Sequence, residues 1–247
     1  MNSADLRIVL VTGATRGLGL EVASRLAVNG HLVVLAGRDA RVAEQRAAEI
    51  RARGGEATAI ALNVLEADSV DRAAQELSDR FGRLDVLINN AGVMLDGSWS
   101  GNTAPSVSES VLRQTFDTNF FAVVRVTQAL LPILRRGRDP HIVNVSSLMG
   151  SLTLHAQADG PLSGFKPFAY DASKAALNAF TTHLAEAVKP AGIRVNSVHP
   201  GWVRTELGTS AATLSVEDGA RPIVDLARLR TPFFTAKFIQ EGGELPW

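Results

Sequence analysis

The sequence predicts an open, doubly wound α/β fold with a mostly parallel seven-stranded sheet and helices on both faces. Two observations indicate this class. Short β-rich runs alternate with helical stretches from the start of the chain, as in successive βαβ units. Several of the runs, including residues 8–11 and 32–36, are almost unbroken apolar segments, which is typical of strands covered by helices on both sides.

The individual elements follow from this alternation and from signals at helix ends. Gly30 and Gly54 fall just past predicted helices, where a left-handed residue is needed, and Ser215 with Asp218 predicts an N-cap. The predicted strands are residues 8–11, 32–36, 57–62, 86–88, 141–145, 194–198 and 238–239. The predicted helices are residues 18–29, 41–53, 66–81, 108–136, 169–188 and 216–229.

Length and composition limit the number of domains and the kinds of binding partner that can be expected. Its 247 residues, 46% of them hydrophobic, can bury one large core, so we expect a single domain over residues 1–247. The 25 basic residues balance the 25 acidic ones, which gives no electrostatic reason to expect nucleic acid or a membrane surface as a partner. A small molecule is the expected partner.

The absence of certain residues and segments narrows the chemistry. There are no cysteines, which excludes disulfides, thiolate nucleophiles and cysteine-ligated zinc. The five histidines lack metal-ligand spacing, so no metal site is expected. No apolar run is long enough to span a membrane, and the first strand begins too early to leave room for a signal peptide. The expected location is the cytoplasm.

A glycine-rich turn follows the first strand and leads into a helix. It reads Thr12-Gly13-Ala14-Thr15-Arg16-Gly17-Leu18-Gly19. Its glycines allow close backbone approach, and a helix N-terminus offers free N–H groups to a pyrophosphate. The glycine spacing differs from the common G-x-G-x-x-G pattern, and the simpler alternative is an ordinary tight turn.

The end of the second strand bears on which dinucleotide would bind. An acidic residue there would bind the ribose 2′-hydroxyl of NAD, but the sequence has Gly37 and Arg38 instead. Arg16 adds a second guanidinium, a group suited to bidentate contact with a 2′-phosphate. The sequence therefore favours NADP(H), the alternative being that both arginines are ordinary surface cations.

A tyrosine and a lysine four residues apart provide the candidate proton donor. Tyr170 and Lys174 would project from one face of a helix, and Tyr170 is the only tyrosine in the chain. An ammonium about 4 Å from the phenol would stabilise the phenolate by about 4 kcal/mol and lower the tyrosine pKa from its usual value of about 10. Such a pair is also common on solvated helix surfaces, so it indicates a catalytic role only when other motifs of the chain support one.

Further motifs supply that context. Ser146 and Ser147 end the fifth strand, Asn89-Asn90-Ala91-Gly92 ends the fourth, Asn119 interrupts an apolar helix, and Pro200-Gly201 follows the sixth strand. In this order, the motifs resemble those of the short-chain dehydrogenase/reductase family over nearly the whole chain, with a Rossmann-like fold. Within that family, the chain resembles the NADPH-dependent carbonyl reductases.

The resemblance implies a role for each matching position. Tyr170 would protonate the carbonyl oxygen, Ser147 would hydrogen-bond that oxygen, Lys174 would lower the tyrosine pKa and hold the nicotinamide ribose, and Asn119 would anchor a water. Ser146 would be structural. The residues expected to bind the cofactor are Gly13, Thr15, Arg16, Gly17, Leu18, Gly19, Arg38, Asn63, Val64, Asn90, Ala91, Gly92, Tyr170, Lys174, Pro200, Gly201, Val203 and Thr205.

Two departures from the family pattern matter. Asn63 stands where the family usually has Asp, and an amide can still contact adenine through a hydrogen bond. The interval from Ser147 to Tyr170 is longer than in the commonest members. Members with an insertion here include monomers in which the added segment covers a dimerisation face, so a monomer or a dimer is expected in place of the usual tetramer.

The leading interpretation is an NADPH-dependent reductase of a ketone or aldehyde. Loops at about residues 93–107, 148–168 and 202–216 are expected to form the substrate walls, and their apolar residues predict an apolar substrate. The hydrophobic side chains concerned are Met94, Leu95, Trp99, Leu148, Met149, Phe165, Phe168 and Trp202. The alternatives are an NAD(P)-linked alcohol dehydrogenase working oxidatively and a non-catalytic NADP(H)-binding sensor.

Overall fold

The computed structural model describes residues 6–97, 101–229 and 234–247. The strands in these ranges are β1 (Arg7–Thr12), β2 (His31–Gly37), β3 (Glu56–Ala61), β4 (Val86–Asn89), β5 (His141–Val145), β6 (Arg194–Val198), β7 (Phe238–Gln240) and β8 (Gly243–Glu244). The α-helices are α1 (Gly17–Val28), α2 (Ala40–Ala52), α3 (Ala67–Phe81), α4 (Glu109–Phe116), α5 (Ala122–Leu134), α6 (Leu152–His155), α7 (Phe168–Val188) and α8 (Val216–Arg228).

The strands form one sheet, and the order in which the chain adds strands to it reverses at β1. The spatial order is β3-β2-β1-β4-β5-β6-β7-β8, and every neighbouring pair is parallel except the last. The first half of the chain therefore builds outward on one side of β1, and the second half builds outward on the other. A crevice opens at the carboxyl ends of the strands where the order reverses, which is the usual ligand position in such sheets.

Helices cover both faces of the sheet, and each face has its own apolar core. Helices α1, α2 and α8 pack against one face through residues such as Leu26, Ile50 and Ile223. Helices α3, α5 and α7 pack against the other through residues such as Leu77 and Leu130. Alternate strand residues enter the two cores, because successive side chains of a strand point to opposite faces. The predicted fold class is confirmed.

The structure differs from the predicted elements in three places. The single helix predicted over residues 108–136 is divided by a π-helical turn, Asp117–Phe121, which joins α4 to α5. Apolar periodicity does not reveal such a turn, since one inserted residue scarcely disturbs it. The sheet has eight strands where seven were predicted, because β8 is too short to show alternation. The loop predicted over residues 148–168 contains the short helix α6.

Within the described ranges, no helix combines the length and apolar character needed to cross a bilayer.

A buried carboxylate joins the sheet to the loop before β5. Asp85 is fully buried, and its Oδ2 accepts a hydrogen bond from the main-chain N–H of Ile8 at 2.7 Å. Its Oδ1 accepts from the N–H of Arg138 at 2.5 Å, and the Arg83 guanidinium lies 3.4 Å from Oδ2. One oxygen therefore accepts from the main chain of β1, and the other accepts from the main chain of the loop before β5.

We expect Asp85→Ala to lower the free energy of unfolding by about 3 kcal/mol, because it leaves the buried N–H of Ile8 without an acceptor and removes the bond from the part-buried N–H of Arg138. Urea unfolding followed by circular dichroism measures the loss. Asp71→Ala, which removes an exposed carboxylate from α3, is the matched control and should change the free energy by less than about 0.5 kcal/mol. Equal losses in the two variants would contradict this role for Asp85.

Candidate active site

A cleft of 740 Å³ lies at the carboxyl edge of the sheet, where β1, β4, β5 and β6 end. All of the residues predicted to bind a cofactor line it, as do Ser147, Tyr170 and Lys174. Asn119 is not among the lining residues and lies behind the wall, with 1% of its surface exposed. Over the residues that the structure describes, no cluster of His, Asp or Glu has the composition of a metal site.

The glycine-rich turn lies at the bottom of this cleft in the conformation that its sequence requires. Gly13 and Gly17 have φ angles of +63° and +52°, in the left-handed region that favours glycine. A Cβ on Gly19 would overlap the Gly13 carbonyl and the Asn90 amide. Helix α1 then begins without a side-chain cap and without an acidic residue in its first turn. The turn and the helix end therefore fit an anionic group such as a pyrophosphate.

The two arginines at the far end of the cleft differ in their surroundings. Arg16 forms an ion pair with Glu206 across the cleft mouth, with 2.6 Å between Nη1 and Oε2, and its side chain is 70% exposed. Arg38 is exposed beside the end of β2 and also lines the cleft. Both guanidinium groups can thus be reached by an anion, although Arg16 would exchange one partner for another.

The side chain of Asn63 mainly serves the turn before α3. Its Nδ2 donates to Glu66 Oε1 at 2.7 Å, and its Oδ1 accepts from the N–H of Leu65 at 3.3 Å. The residue still lines the cleft beside Val64. The expected contact with adenine therefore remains a prediction, and the structure gives Asn63 a local role that sequence reasoning missed.

Tyr170 and Ser147 come together on the cleft wall from two different elements. Tyr170 lies in the first turn of α7, Ser147 lies two residues past the end of β5, and the phenol and the hydroxyl are hydrogen-bonded. The Ser147 hydroxyl also accepts from the N–H of Met149 at 3.2 Å. The neighbouring Ser146 hydroxyl instead donates to Asn178 Oδ1 at 2.8 Å, away from the phenol.

Lys174 contacts the main chain and the ring of Tyr170. Its Nζ donates to the carbonyl oxygen of Val145 at 2.9 Å and lies 5.6 Å from the centre of the Tyr170 ring. The lysine is buried, and burial lowers its pKa to about 8. Its ammonium is therefore mostly charged at neutral pH and loses its charge under mildly alkaline conditions.

The pKa of Tyr170 is shifted in the direction opposite to the one expected from Lys174. Burial raises it to about 12, the Ser147 hydrogen bond lowers it, and the charge of Asp171 raises it. The expected lowering fails here because desolvation disfavours the phenolate and the ammonium points at Val145 and the ring face. The phenol of this structure is therefore protonated at neutral pH.

Asn119 holds the main chain instead of facing the cleft. Its Nδ2 donates to the carbonyl oxygen of Val93 and its Oδ1 accepts from the Val93 N–H, both at 2.8 Å. Nδ2 also donates to the Ser173 hydroxyl at 3.0 Å. These bonds place the π-helical turn against the segment that follows β4, and the predicted water contact of Asn119 is left as a prediction.

The side of the cleft nearest Tyr170 is apolar. Met149 and Leu162 form a buried cluster with the Tyr170 ring, and the partly buried residues packed against it are Met94, Leu148, Leu154 and Leu207. The predicted wall over residues 202–216 is held by a bridge between Val203 and Leu214 and by a hydrogen bond from the Trp202 indole to the Gly208 carbonyl at 2.8 Å. Trp99 lies outside the described residues.

Behind Tyr170 lies a cluster of titratable groups that sequence reasoning missed. Burial and the charge of Asp96 raise the pKa of Asp171 to about 8, against a smaller lowering by Lys166. His155 Nε2 lies 3.3 Å from Asp171 Oδ2, and Lys166 Nζ lies 2.8 Å from His155 Nδ1. No sequence motif marks this cluster, since it depends on how residues 155–166 fold back onto α7.

The chain is similar to known proteins in sequence and in structure. The short chain dehydrogenase family model matches residues 7–214. Dehydrogenase/reductase SDR family member 7B of Bos taurus is 35% identical over 212 residues, which cover 83% of this chain but only 61% of the relative. The 3-oxoacyl-[acyl-carrier-protein] reductase of Synechocystis sp. is 32% identical over 208 residues, covering 84% of this chain and 78% of the relative.

Solved structures of related sequence have the same architecture. The crystal structure of the NADPH-bound carbonyl reductase from chicken fatty liver matches with a TM-score of 0.82 at 28% identity, over 98% of this chain and 99% of the other. Carbonyl reductase Sniffer of D. melanogaster matches with a TM-score of 0.83 at 26% identity, over 98% of this chain and 100% of the other.

The raised pKa of Asp171 predicts a pH-dependent stability. The folded state binds this proton more tightly than the unfolded chain does, so the stabilisation is complete below pH 4 and is lost as the pH rises toward 8. Asp171→Asn resembles the protonated form and should lose less stability over this range. We expect the difference in Tm, variant minus wild type, to increase by several degrees between pH 5 and pH 9. Each kcal/mol of stability corresponds to about 2–4 °C in a domain of this size.

Calorimetry at a series of pH values measures this difference. Asp159→Asn removes an exposed carboxylate from the segment before α7 and should show a Tm difference that does not change with pH. A pH-independent difference for Asp171→Asn as well would show that the Asp171 carboxyl titrates in its ordinary range.

Proposed function

The chain belongs to the short chain dehydrogenase family, a family of oxidoreductases, and we propose that it is an NADPH-dependent reductase that converts a ketone or an aldehyde into an alcohol. One observation carries this proposal. The protonated phenol of Tyr170, hydrogen-bonded to Ser147, lines the same cleft as the glycine-rich turn and the uncapped start of α1. A proton donor and a fitting site for a dinucleotide thus share one cavity.

The cofactor would lie along the carboxyl edge of the sheet. Gly13, Gly17 and Gly19 leave room for the pyrophosphate, and the N-terminus of α1 supplies N–H groups and a positive dipole. Asn63 and Val64 would contact the adenine. The residues that would contact the nicotinamide half, and that also line the cleft, are Asn90, Ala91, Gly92, Pro200, Gly201, Val203 and Thr205.

Charge at the end of β2 supports NADPH over NADH. Gly37 and Arg38 occupy the positions where a carboxylate would have repelled a 2′-phosphate, and Arg16 lies across the cleft mouth. Two guanidinium groups can bind that phosphate bidentately. The NADPH bound to the chicken carbonyl reductase is consistent with this choice.

The proposed reaction transfers a proton from Tyr170 to the carbonyl oxygen of the substrate. When bound, NADPH would supply a hydride to the carbonyl carbon and would be left as NADP+. With a pKa of about 12 before ligands bind, the phenol carries its proton at neutral pH, as an acid must. Ser147 holds the same oxygen through a hydrogen bond, and the Lys174 ammonium near the ring stabilises the phenolate left behind.

The substrate would be a small apolar carbonyl compound. Met149, Leu162 and Phe165 line the cleft on the side of Tyr170, and burial of apolar surface would supply most of the binding free energy. The oxidative alternative needs a phenolate as base before substrate binds. Burial, which raises the pKa of Tyr170 to about 12 in the absence of ligands, opposes that form.

Tyr170→Phe tests the reaction and removes only the phenolic oxygen. We expect kcat/KM for carbonyl reduction to fall by about 10²- to 10⁴-fold, the usual contribution of a general acid. NADPH oxidation is measured with a panel of aryl ketones, aliphatic ketones and quinones. NADPH binding, followed by fluorescence, should be retained, and unchanged turnover in the variant would refute the assignment. A wild-type protein that binds NADPH but reduces nothing would favour the sensor alternative.

Arg38→Ser tests the choice of cofactor. We expect kcat/KM for NADPH to fall by about 10- to 100-fold, since a charge-assisted hydrogen bond contributes about 1.5–3 kcal/mol. The value for NADH should change little. Arg41→Ser is the matched control, because its side chain is 95% exposed on α2 and does not line the cleft. An equal loss with both cofactors in Arg38→Ser would argue against a 2′-phosphate contact.

A further inference from the structure

The helix that carries Tyr170 is capped by a distant segment of the chain. Helix α7 begins after Pro167, and no side chain at its own N-cap position accepts a hydrogen bond. Instead, Asp96 Oδ1 accepts from the N–H of Ala169 at 3.0 Å and Oδ2 accepts from the N–H of Tyr170 at 3.1 Å. The N–H of Phe168 donates to the Asn102 carbonyl oxygen at 3.1 Å. The first turn of α7 thus depends on the segment that follows β4.

The capping carboxylate is buried and held in place. Asp96 is 2% exposed, and burial raises its pKa while the two N–H groups lower it. Its main-chain carbonyl accepts from Asn102 Nδ2 at 2.8 Å. Asn102 has a φ of +45°, a left-handed conformation that most side chains avoid. Hydrogen bonds on both sides of Asn102 hold it there, which fixes Asp96 against the helix.

The other end of the Tyr170 residue is held by a second side chain. The Ser173 hydroxyl donates to the Tyr170 carbonyl oxygen at 2.7 Å and accepts from Asn119 Nδ2 at 3.0 Å. Asn119 in turn holds both main-chain groups of Val93, three positions before Asp96. The segment from Val93 to Asp96 is therefore connected to both main-chain groups of Tyr170. Asp96 accepts from the Tyr170 N–H, and Asn119 reaches the Tyr170 carbonyl through Ser173.

We propose that Asp96 is a positioning residue for Tyr170, which sets where the phenol lies relative to Ser147 by fixing the first turn of α7. Tyr170 is the second residue whose N–H donates to this carboxylate, so a shift of the cap moves the residue that bears the phenol. An ordinary cap stabilises a helix without reaching the reacting atoms. The inference rests on the proposed reductase function for its kinetic consequence, but its structural consequence can be measured without substrate.

Three variants separate positioning from stability. Asp96→Ala removes both acceptors, and Asp96→Asn keeps one acceptor oxygen. Ser108→Ala removes the cap of α4, where the hydroxyl accepts from the Val111 N–H at 3.2 Å, and lies outside the cleft. We expect kcat to fall by about 10- to 100-fold in Asp96→Ala, since small displacements at a reacting centre have effects of this size. The kcat of Asp96→Asn should lie between those of the wild type and Asp96→Ala. The KM for NADPH should stay unchanged in both Asp96 variants, and Ser108→Ala should keep the wild-type kcat.

The single tyrosine gives a direct second readout. Protein labelled with 13C at the tyrosine Cζ has one resonance, that of Tyr170, and its midpoint can be followed with pH. The midpoint should move from the wild-type value toward that of free tyrosine in Asp96→Ala, because a displaced phenol gains solvent. Ser108→Ala should leave it unchanged. If Asp96→Ala does not fold, Asp96→Asn decides by the same two measurements.

The two measurements, kcat and the Tyr170 resonance, together decide between the possible outcomes. Wild-type kcat and an unmoved resonance in a folded Asp96 variant overturn the proposal, as do equal changes in Ser108→Ala. A moved resonance with reduced kcat supports it. If the wild type reduces no carbonyl compound but the resonance still moves in the Asp96 variants alone, the reductase function fails and the positioning role stands.

Discussion

The reversal of strand order at β1 is the constraint on which the site depends. Because β2 and β4 flank β1, the connections that leave these strands diverge and open a crevice between them. The glycine-rich turn follows β1, Asn90 and its neighbours follow β4, and Ser147 follows β5. All of these groups belong to the carboxyl ends of parallel strands. Their proximity is a property of the sheet, while the loops beyond them are free to vary.

Burial sets the chemistry of the site more strongly than the Tyr170–Lys174 pair does. Desolvation opposes charge on either group, so it raises the pKa of the phenol and lowers that of the ammonium. Each shift favours the neutral form. A proton donor gains from this arrangement, since its proton is retained until another group stabilises the phenolate. The lysine keeps most of its charge at neutral pH and is positioned by Val145, so it can respond when that charge develops.

The sequence predicted those parts of the structure that depend on local pattern. Unbroken apolar runs located β1 and β2, and the glycine spacing located the turn at the start of α1, since these features are written in neighbouring residues. The role of Asp96 could not be predicted, because its partners lie 73 and 74 positions away. The direction of the Tyr170 pKa shift also required the fold, since the spacing of Tyr170 and Lys174 contains no information about burial. Asn119 was predicted only in part. The motif identified the residue, but the sequence did not indicate that its side chain holds the main-chain groups of Val93.

The segment between Ser147 and α7 connects the apolar side of the cleft to the proposed proton donor, Tyr170. Leu162 packs beside Tyr170, while His155 and Lys166 form the cluster with Asp171, the next residue along the helix. Leu162 and the phenol are therefore both held against one element, α7, whereas the glycine-rich turn lies between β1 and α1. Side chains of the wall can change the shape of the pocket without moving the phenol, provided that the polar contacts to α7 remain. A substitution that breaks those contacts would alter the shape of the pocket and the position of the Tyr170 phenol together.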